Sequence, residues 1–188
     1  MVEIRAVDAS CHDAVAELFT ANNTVAGCGC MYFVLPNKEF SAGWHNRANR
    51  DRLLAELSER PPIALVAYSG GRAVGWCAAG PRERYARVLR SPLMKAREPA
   101  EDGAVWFLPC LFVRAGERRK GVAAELLAAA VGVAREHGAT AVEGFPYVGG
   151  EKRATGEAYI GTEAMFAAAG FTLRARPSAK RVIMRVDF

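Results

Sequence analysis

Residues 111–130, LFVRAGERRKGVAAELLAAA, run from an apolar strand pattern ending at Val113, through a basic turn, into a helical pattern that opens at Gly121. Inside the turn Arg118, Arg119, Lys120, Gly121, Val122 and Ala123 spell R-x-x-G-x-A. The side chain missing at Gly121 lets backbone N–H groups come close to an anion, and a helix start carries such unpaired donors. The helix dipole adds roughly 0.3–1 kcal/mol per well-placed negative charge, and three basic side chains add a screened attraction. A diphosphate suits this turn better than a carboxylate.

Two other phosphate loops are excluded, because neither G-x-x-x-x-G-K-[ST] nor G-x-G-x-x-G after a strand occurs. The 188 residues suit one domain spanning 1–188, since a chain of this size buries roughly 70% of the surface it exposes when unfolded. Hydrophobic content of 51% and charged content of 24% are ordinary globular values. The longest apolar runs fall far short of the ~20 residues of a membrane helix. Residues Met1 to Val7 alternate in polarity and do not resemble a secretory leader, so the expected location is cytoplasmic, with no membrane partner.

A net charge of +5 and a pI near 9.1 would suit nucleic acid, yet only Arg114 to Lys120 is a local basic cluster, and no aromatic residues interleave with it. A phosphorylated cofactor explains that cluster better than a polymer does. The five cysteines, Cys11, Cys28, Cys30, Cys77 and Cys110, are odd in number and sit mostly in apolar contexts, as free thiols in a reducing compartment do. The histidines and cysteines show no paired ligand spacing, so no metal is expected.

Working outward from the turn, the apolar run Val105 to Val113 reads as a strand and Gly121 to His137 as an amphipathic helix closed by Gly138. Val2 to Val7, Ile63 to Tyr68, Ala73 to Ala79, Thr140 to Pro146, Phe171 to Ala175 and Arg181 to Val186 supply six more strands. Ser69-Gly70-Gly71-Arg72 is a hairpin turn, and the helix between Val113 and Thr140 makes the strands it joins parallel. Further helices are expected from a capping box at Ser10 and Asp13 to about Thr20, over Phe40 to Arg60 up to Pro61-Pro62, and over Thr162 to Ala169. Asn22 to Asn37 reads as irregular, and Pro81 to Gly103 as a charged lid or flap with a short helix at Arg82 to Leu89.

The turn resembles motif A of the GNAT superfamily of acyl-CoA-dependent N-acyltransferases, V-x-P-x-x-[QR]-x-x-G-x-[GA]. Val113 takes the strand-end place, Arg118 the Q/R place, Gly121 the central glycine and Ala123 the last small residue, with Ala115 in place of the usual proline. The order of elements and the Met165-Phe166-Ala167-Ala168-Ala169-Gly170-Phe171 ending resemble the same superfamily along the whole chain. The resemblance implies an α/β (α+β) fold, a mixed and mostly antiparallel sheet of about seven strands flanked by four helices. It also implies acetyl transfer from acetyl-CoA to a primary amine by direct attack in a ternary complex. A small-molecule acceptor fits a chain without an added recognition module, a catalytically silent CoA sensor of the same fold is the alternative, and a homodimer is compatible with the sequence.

Further implications attach to residues. Leu111, Phe112 and Val113 take the places of a strand bulge whose backbone N–H polarises the thioester carbonyl and whose edge holds the pantetheine, and Pro109 is placed to break pairing just before them. Arg118, Arg119, Lys120, Gly121, Val122 and Ala123 take the diphosphate, and Phe166 packs against the pantetheine arm or the core. Cys28, Cys30 and Tyr32 lie in the region that lines the acceptor pocket. Glu143, in an apolar strand beside the acceptor, is the candidate base, against a reading in which it faces solvent or pairs with an arginine; Glu101, Asp102 and Glu157 are loop alternatives. The tyrosine often found four residues before the final Gly-Phe pair is replaced by Phe166. Either Tyr159, Tyr147 or Tyr32 supplies the acid, or the thiolate leaves unassisted.

Overall fold

A computed structural model of the protein describes residues 2–95, 97–149 and 157–188. Seven strands form one sheet: β1 (Glu3–Ala6), β2 (Ala64–Ser69), β3 (Arg72–Pro81), β4 (Val105–Val113), β5 (Ala141–Gly144), β6 (Thr172–Ser178) and β7 (Arg181–Asp187), in the order β1-β2-β3-β4-β5-β7-β6. Only β4 and β5 are parallel. Gly70 and Gly71, with φ of 56° and 77°, make the two-residue turn between β2 and β3 that only residues tolerant of positive φ can make cheaply.

The helices are α1 (His12–Leu18), α2 (Asn23–Cys28), α3 (Asn37–His45), α4 (Ala48–Ala55), α5 (Ala86–Leu89), α6 (Val122–Glu136) and α7 (Glu163–Ala168). They cover the sheet unequally. On one face α1 to α4 bury Val15, Leu18, Phe40, Leu53, Val66, Trp76 and Phe112 in one core. On the other, α6 lays Val122, Leu126, Leu127, Ala130 and Ala134 against Ala67, Cys77, Leu111 and Val142. Their i, i+4, i+5, i+8, i+12 spacing is what the amphipathic pattern requires.

Three helical expectations change. Asp8, not Ser10, supplies the cap, its Oδ1 accepting from Ser10 N–H at 2.8 Å at the start of the 3-10 turn Ala9–Cys11 that leads into α1, and α1 itself has no side-chain cap. The segment expected to be irregular contains α2, because Asn22 Oδ1 accepts from Val25 N–H at 3.0 Å and caps it. The helix expected over Phe40 to Arg60 is two, broken at Arg47 with φ 67°. Asn49 holds that break: almost fully buried, its Nδ2 donates to Gly27 O at 2.9 Å and Phe40 O at 3.0 Å, tying α2, α3 and α4 together.

The excursion from Pro81 to Gly103 contains α5 and short 3-10 turns, and it is anchored by Arg82, which is 0% exposed. Its Nε donates to Asp102 Oδ1, its Nη1 to Glu143 Oε2 and its Nη2 to Glu98 O, each at 2.7 Å. One side chain thus pins both ends of the excursion to β5.

Candidate active site

The sheet opens at one point, and β4 is where it opens. Ala78 pairs with Cys110 but Gly80 pairs with Phe107, so Leu108 and Pro109 both oppose Ala79 in a β-bulge. Parallel pairing with β5 ends at Leu108 opposite Gly144. Beyond the bulge Arg114 N–H donates to Val74 O at 2.9 Å. By the alternation of an antiparallel ladder, the N–H groups of Leu111 and Val113 therefore point away from β3, towards the edge that β5 has left.

Two cavities flank this edge on opposite faces of the sheet. The first, about 380 Å³, is lined by Leu111, Val113, Arg118, Arg119, Gly121, Val122, Ala123, Gly161 and Met165 among others. At its basic end Gly121 takes φ 86° and caps α6 without a side-chain hydrogen bond, and Arg119 is also left-handed at φ 63°. Among the described residues, the backbone N–H groups of Arg119 to Ala123 have no protein acceptor, which makes a cluster of donors aimed outward. Arg118 Nε donates to Val113 O at 2.9 Å and so latches the turn onto the end of β4, while Lys120 Nζ pairs with Glu117 at 3.1 Å. The turn is shaped and charged for a phosphate-bearing ligand.

The second cavity, about 550 Å³, lies on the face of α1 to α4. Cys28, Cys30 and Tyr32 line it, together with Trp44, Phe40 and Cys110, and the excursion supplies a wall through Arg87, Val88 and Met94. Burial pushes the Cys28 thiol up to about 12. Cys30 is held below its ordinary value by hydrogen bonds from Cys110 and from the Trp76 indole, whose Nε1 donates to its sulfur at 3.3 Å.

Alternate residues of β4 line the two cavities, Leu111 and Val113 the first, Cys110 and Phe112 the second. Tyr159, 8% exposed, lines both. Its ring packs edge-on against Phe112 at 5.3 Å, and its hydroxyl oxygen accepts from Asn22 Nδ2 at 3.1 Å. The cap that Asn22 Oδ1 makes on α2 fixes the orientation of that amide, so the phenol keeps its own proton free to donate. Asn22 was missed from sequence, although an asparagine before a helix is a recognisable cap.

Other expected residues stand elsewhere. Phe166 lines neither cavity; at 0% exposed it lies in the core, edge-on to Phe171 at 4.9 Å and pressed against the backbone of Gly144 and Gly161. The expectation that it meets the pantetheine is corrected accordingly, and its neighbour Met165 lines the cleft instead. Glu143 is also absent from both linings: it is 3% exposed, with Oε2 bound by Arg82 at 2.7 Å and Oε1 by Arg185 at 3.1 Å. Its role as base is withdrawn, because both carboxylate oxygens are occupied by the guanidiniums that hold β5, β7 and the excursion together. Glu101 pairs with Arg185, whose hydrogen bond lowers its pKa, and Asp102 pairs with Arg82 and Arg97. The side chain of Glu157 lies outside the described residues. Tyr147 and Tyr32 line only the second cavity: the Tyr147 oxygen accepts from Arg181 at 2.8 Å, and the Tyr32 ring lies under Arg87 at 3.9 Å.

The profile of the acetyltransferase (GNAT) family matches residues 31–147, and the chain belongs to that family. No curated protein matches it in sequence. Among solved structures it is similar to the PaiA N-acetyltransferase of Thermoplasma acidophilum in complex with coenzyme A, at 12% identity and a TM-score of 0.55, covering 100% of this chain and 99% of that one. It is also similar to YncA of Salmonella typhimurium, a putative acetyltransferase with its cofactor acetyl-CoA, at 15% identity and a TM-score of 0.57, covering 99% and 93%. The GNAT domain of S. lividans PAT aligns at 14% identity with a TM-score of 0.58, covering 100% and 90%. At these identities the likeness is one of fold.

Proposed function

We propose that the protein transfers an acetyl group from acetyl-CoA to a primary amine, with acetyl-CoA in the cleft beside α6 and the amine in the cavity beneath α2 to α5. The observation that carries this reading is Tyr159, the titratable side chain that lines both cavities at the open edge of β4. The diphosphate would rest on the free N–H groups of Arg119 to Ala123, with Arg118 and Lys120 adding charge. The pantetheine would run along the unpaired edge at Leu111 and Val113, and a backbone donor there, aimed at the thioester oxygen, is worth on the order of a hundredfold in rate.

Attack by the neutral amine forms the carbon–nitrogen bond and places the negative charge on the thioester oxygen. Collapse breaks the carbon–sulfur bond, the departing thiolate takes the phenolic proton of Tyr159, and the ammonium proton passes to water. Asn22 acts as a positioning residue, since its amide N–H fixes the phenol. Among the described residues, no Asp, Glu or His lines the acceptor cavity, which favours solvent as the proton sink.

Acetyl-CoA-dependent thiol release with a panel of amines tests this reading. Tyr159→Phe should lower kcat by about 10²–10⁴-fold while calorimetry finds coenzyme A affinity within about twofold of wild type. Binding of coenzyme A without thiol release for any amine would make the protein a sensor instead. Unchanged turnover in Tyr159→Phe would return the acid to solvent.

A further inference from the structure

Arg87 brings to the acceptor cavity a positive charge that no carboxylate among the described residues answers. Among the described residues that line it there is no Asp or Glu, while Arg87 and Arg181 both contribute guanidiniums. Arg181 is anchored, its Nη1 donating to Phe145 O at 3.1 Å and its Nη2 to the Tyr147 hydroxyl at 2.8 Å. Arg87 is different. It is carried by α5 in the excursion, its guanidinium lies 3.9 Å above the Tyr32 ring and 5.6 Å from that of Phe40, and its Nη1 is buried without a hydrogen-bond acceptor among the described residues. A buried donor left unpaired is costly and rare, and it is most simply explained as one that a ligand completes.

The chemistry of that ligand follows from the surroundings. The flat guanidinium fork matches a planar oxyanion, and a ring beneath it keeps it oriented. The remaining walls are apolar and aromatic, with Phe33, Phe40, Trp44, Val88 and Met94 prominent. A simple alkylamine would enter as a cation and be repelled by the Arg87 guanidinium. An amine that also carries a negative group would be attracted, and the same guanidinium would favour loss of its ammonium proton, as nucleophilic attack requires.

We infer that the acceptor is an apolar α-amino acid whose carboxylate is received by Arg87. The inference rests on the acyl-transfer reading for the amine, and on the unpartnered Arg87 guanidinium for the carboxylate. The test uses wild-type protein saturated with coenzyme A and calorimetric titration with phenylalanine, leucine and methionine beside their decarboxylated amines. The amino acids should bind at least about tenfold more tightly than the matched amines, and Arg87→Gln should cut that preference to within about threefold. Coenzyme A affinity of the variant serves as its folding control, and the wild-type comparison stands without it.

Equal or tighter binding of the decarboxylated amines overturns the inference, as does a preference that survives Arg87→Gln in a folded variant. Tighter binding of the aminophosphonic analogue of phenylalanine overturns the carboxylate assignment. Thiol release on the same ligands separates the two readings. Acetylation of only the decarboxylated amines keeps the transferase and removes the carboxylate site. Arg87-dependent binding of the amino acids without thiol release for any amine supports the site and removes the transferase.

Discussion

Tyr159 and Phe166 are buried aromatic residues on neighbouring turns, and their surroundings give them opposite work. The Phe166 ring abuts the Gly144 backbone, where its Cζ stands only 2.7 Å from the place a Cβ would occupy. A hydroxyl added there would enter a fully buried, closely packed site. Phe166→Tyr should therefore lower stability by about 1–3 kcal/mol and leave turnover no higher, measured by urea unfolding and steady-state thiol release. A rise in turnover would show that residue 166 reaches the thioester after all. Sequence alone left three tyrosines open because distance along the chain says nothing about which phenol reaches both sides of a sheet. The Asn22 hydrogen bond and the Phe112 contact, both distant in sequence from Tyr159, make that distinction.

At the level of elements, the staple formed by Arg82 holds the excursion that walls the second cavity, although Arg82 itself does not line it. Removing one partner from a buried ionic cluster leaves charge uncompensated, typically at about 3–5 kcal/mol. Arg82→Met should destabilise the fold by that order and, in the protein that remains folded, raise the acceptor KM while leaving coenzyme A affinity unchanged; urea unfolding and calorimetry read the two effects. An Arg82→Met protein of wild-type stability would mean that the excursion is held by its apolar contacts alone. The same geometry explains why Glu143 misled: a glutamate in an apolar strand is equally the mark of a base and of an ion pair, and Arg82 and Arg185 come from segments that only the fold brings beside it.

The seven strands and α6 were legible because period-2 runs and the 3.6-residue stripe are local signals. The left-handed turn into α6 was legible for the same reason, since Gly121 announces its backbone geometry. What was not legible depends on contacts across the chain. The division into α3 and α4 is enforced by Asn49, whose partners Gly27 and Phe40 lie in two other helical segments or at their edge. Arg87 gave no sign either, because an arginine in a charged loop reads as solvated until the cavity beneath it is known.

For the whole molecule, burial sets an alkaline limit. The thiols of Cys28, at about 12, and of Cys77 and Cys110, together with the Tyr85 phenol, are all held above their ordinary values, chiefly by burial except at Cys110, where the hydrogen bond to Cys30 leads. Cys30 works in the opposite sense. Unfolded thiols ionise from about pH 8.5. Below that pH the folded and unfolded chains carry the same protons on the raised thiols, and their contribution to stability is complete. Above it the unfolded chain loses protons that the fold retains, so stability falls from about pH 9 towards pH 12, by about 1 kcal/mol per pH unit for each fully shifted thiol. Urea midpoints at pH 8, 9.5 and 10.5 should fall in that order, and Cys77→Ala should flatten the slope; a midpoint constant across this range would contradict the burial argument.

The placement of two cavities on opposite faces of one sheet also governs traffic. A molecule leaving the cleft beside α6 need not pass the cavity beneath α2 to α5, and the reverse holds as well. In the proposed reaction each spent ligand would then have its own exit, and neither would have to wait for the other to clear the way. What the two cavities share is one stretch of wall, and a single phenol ring supplies it.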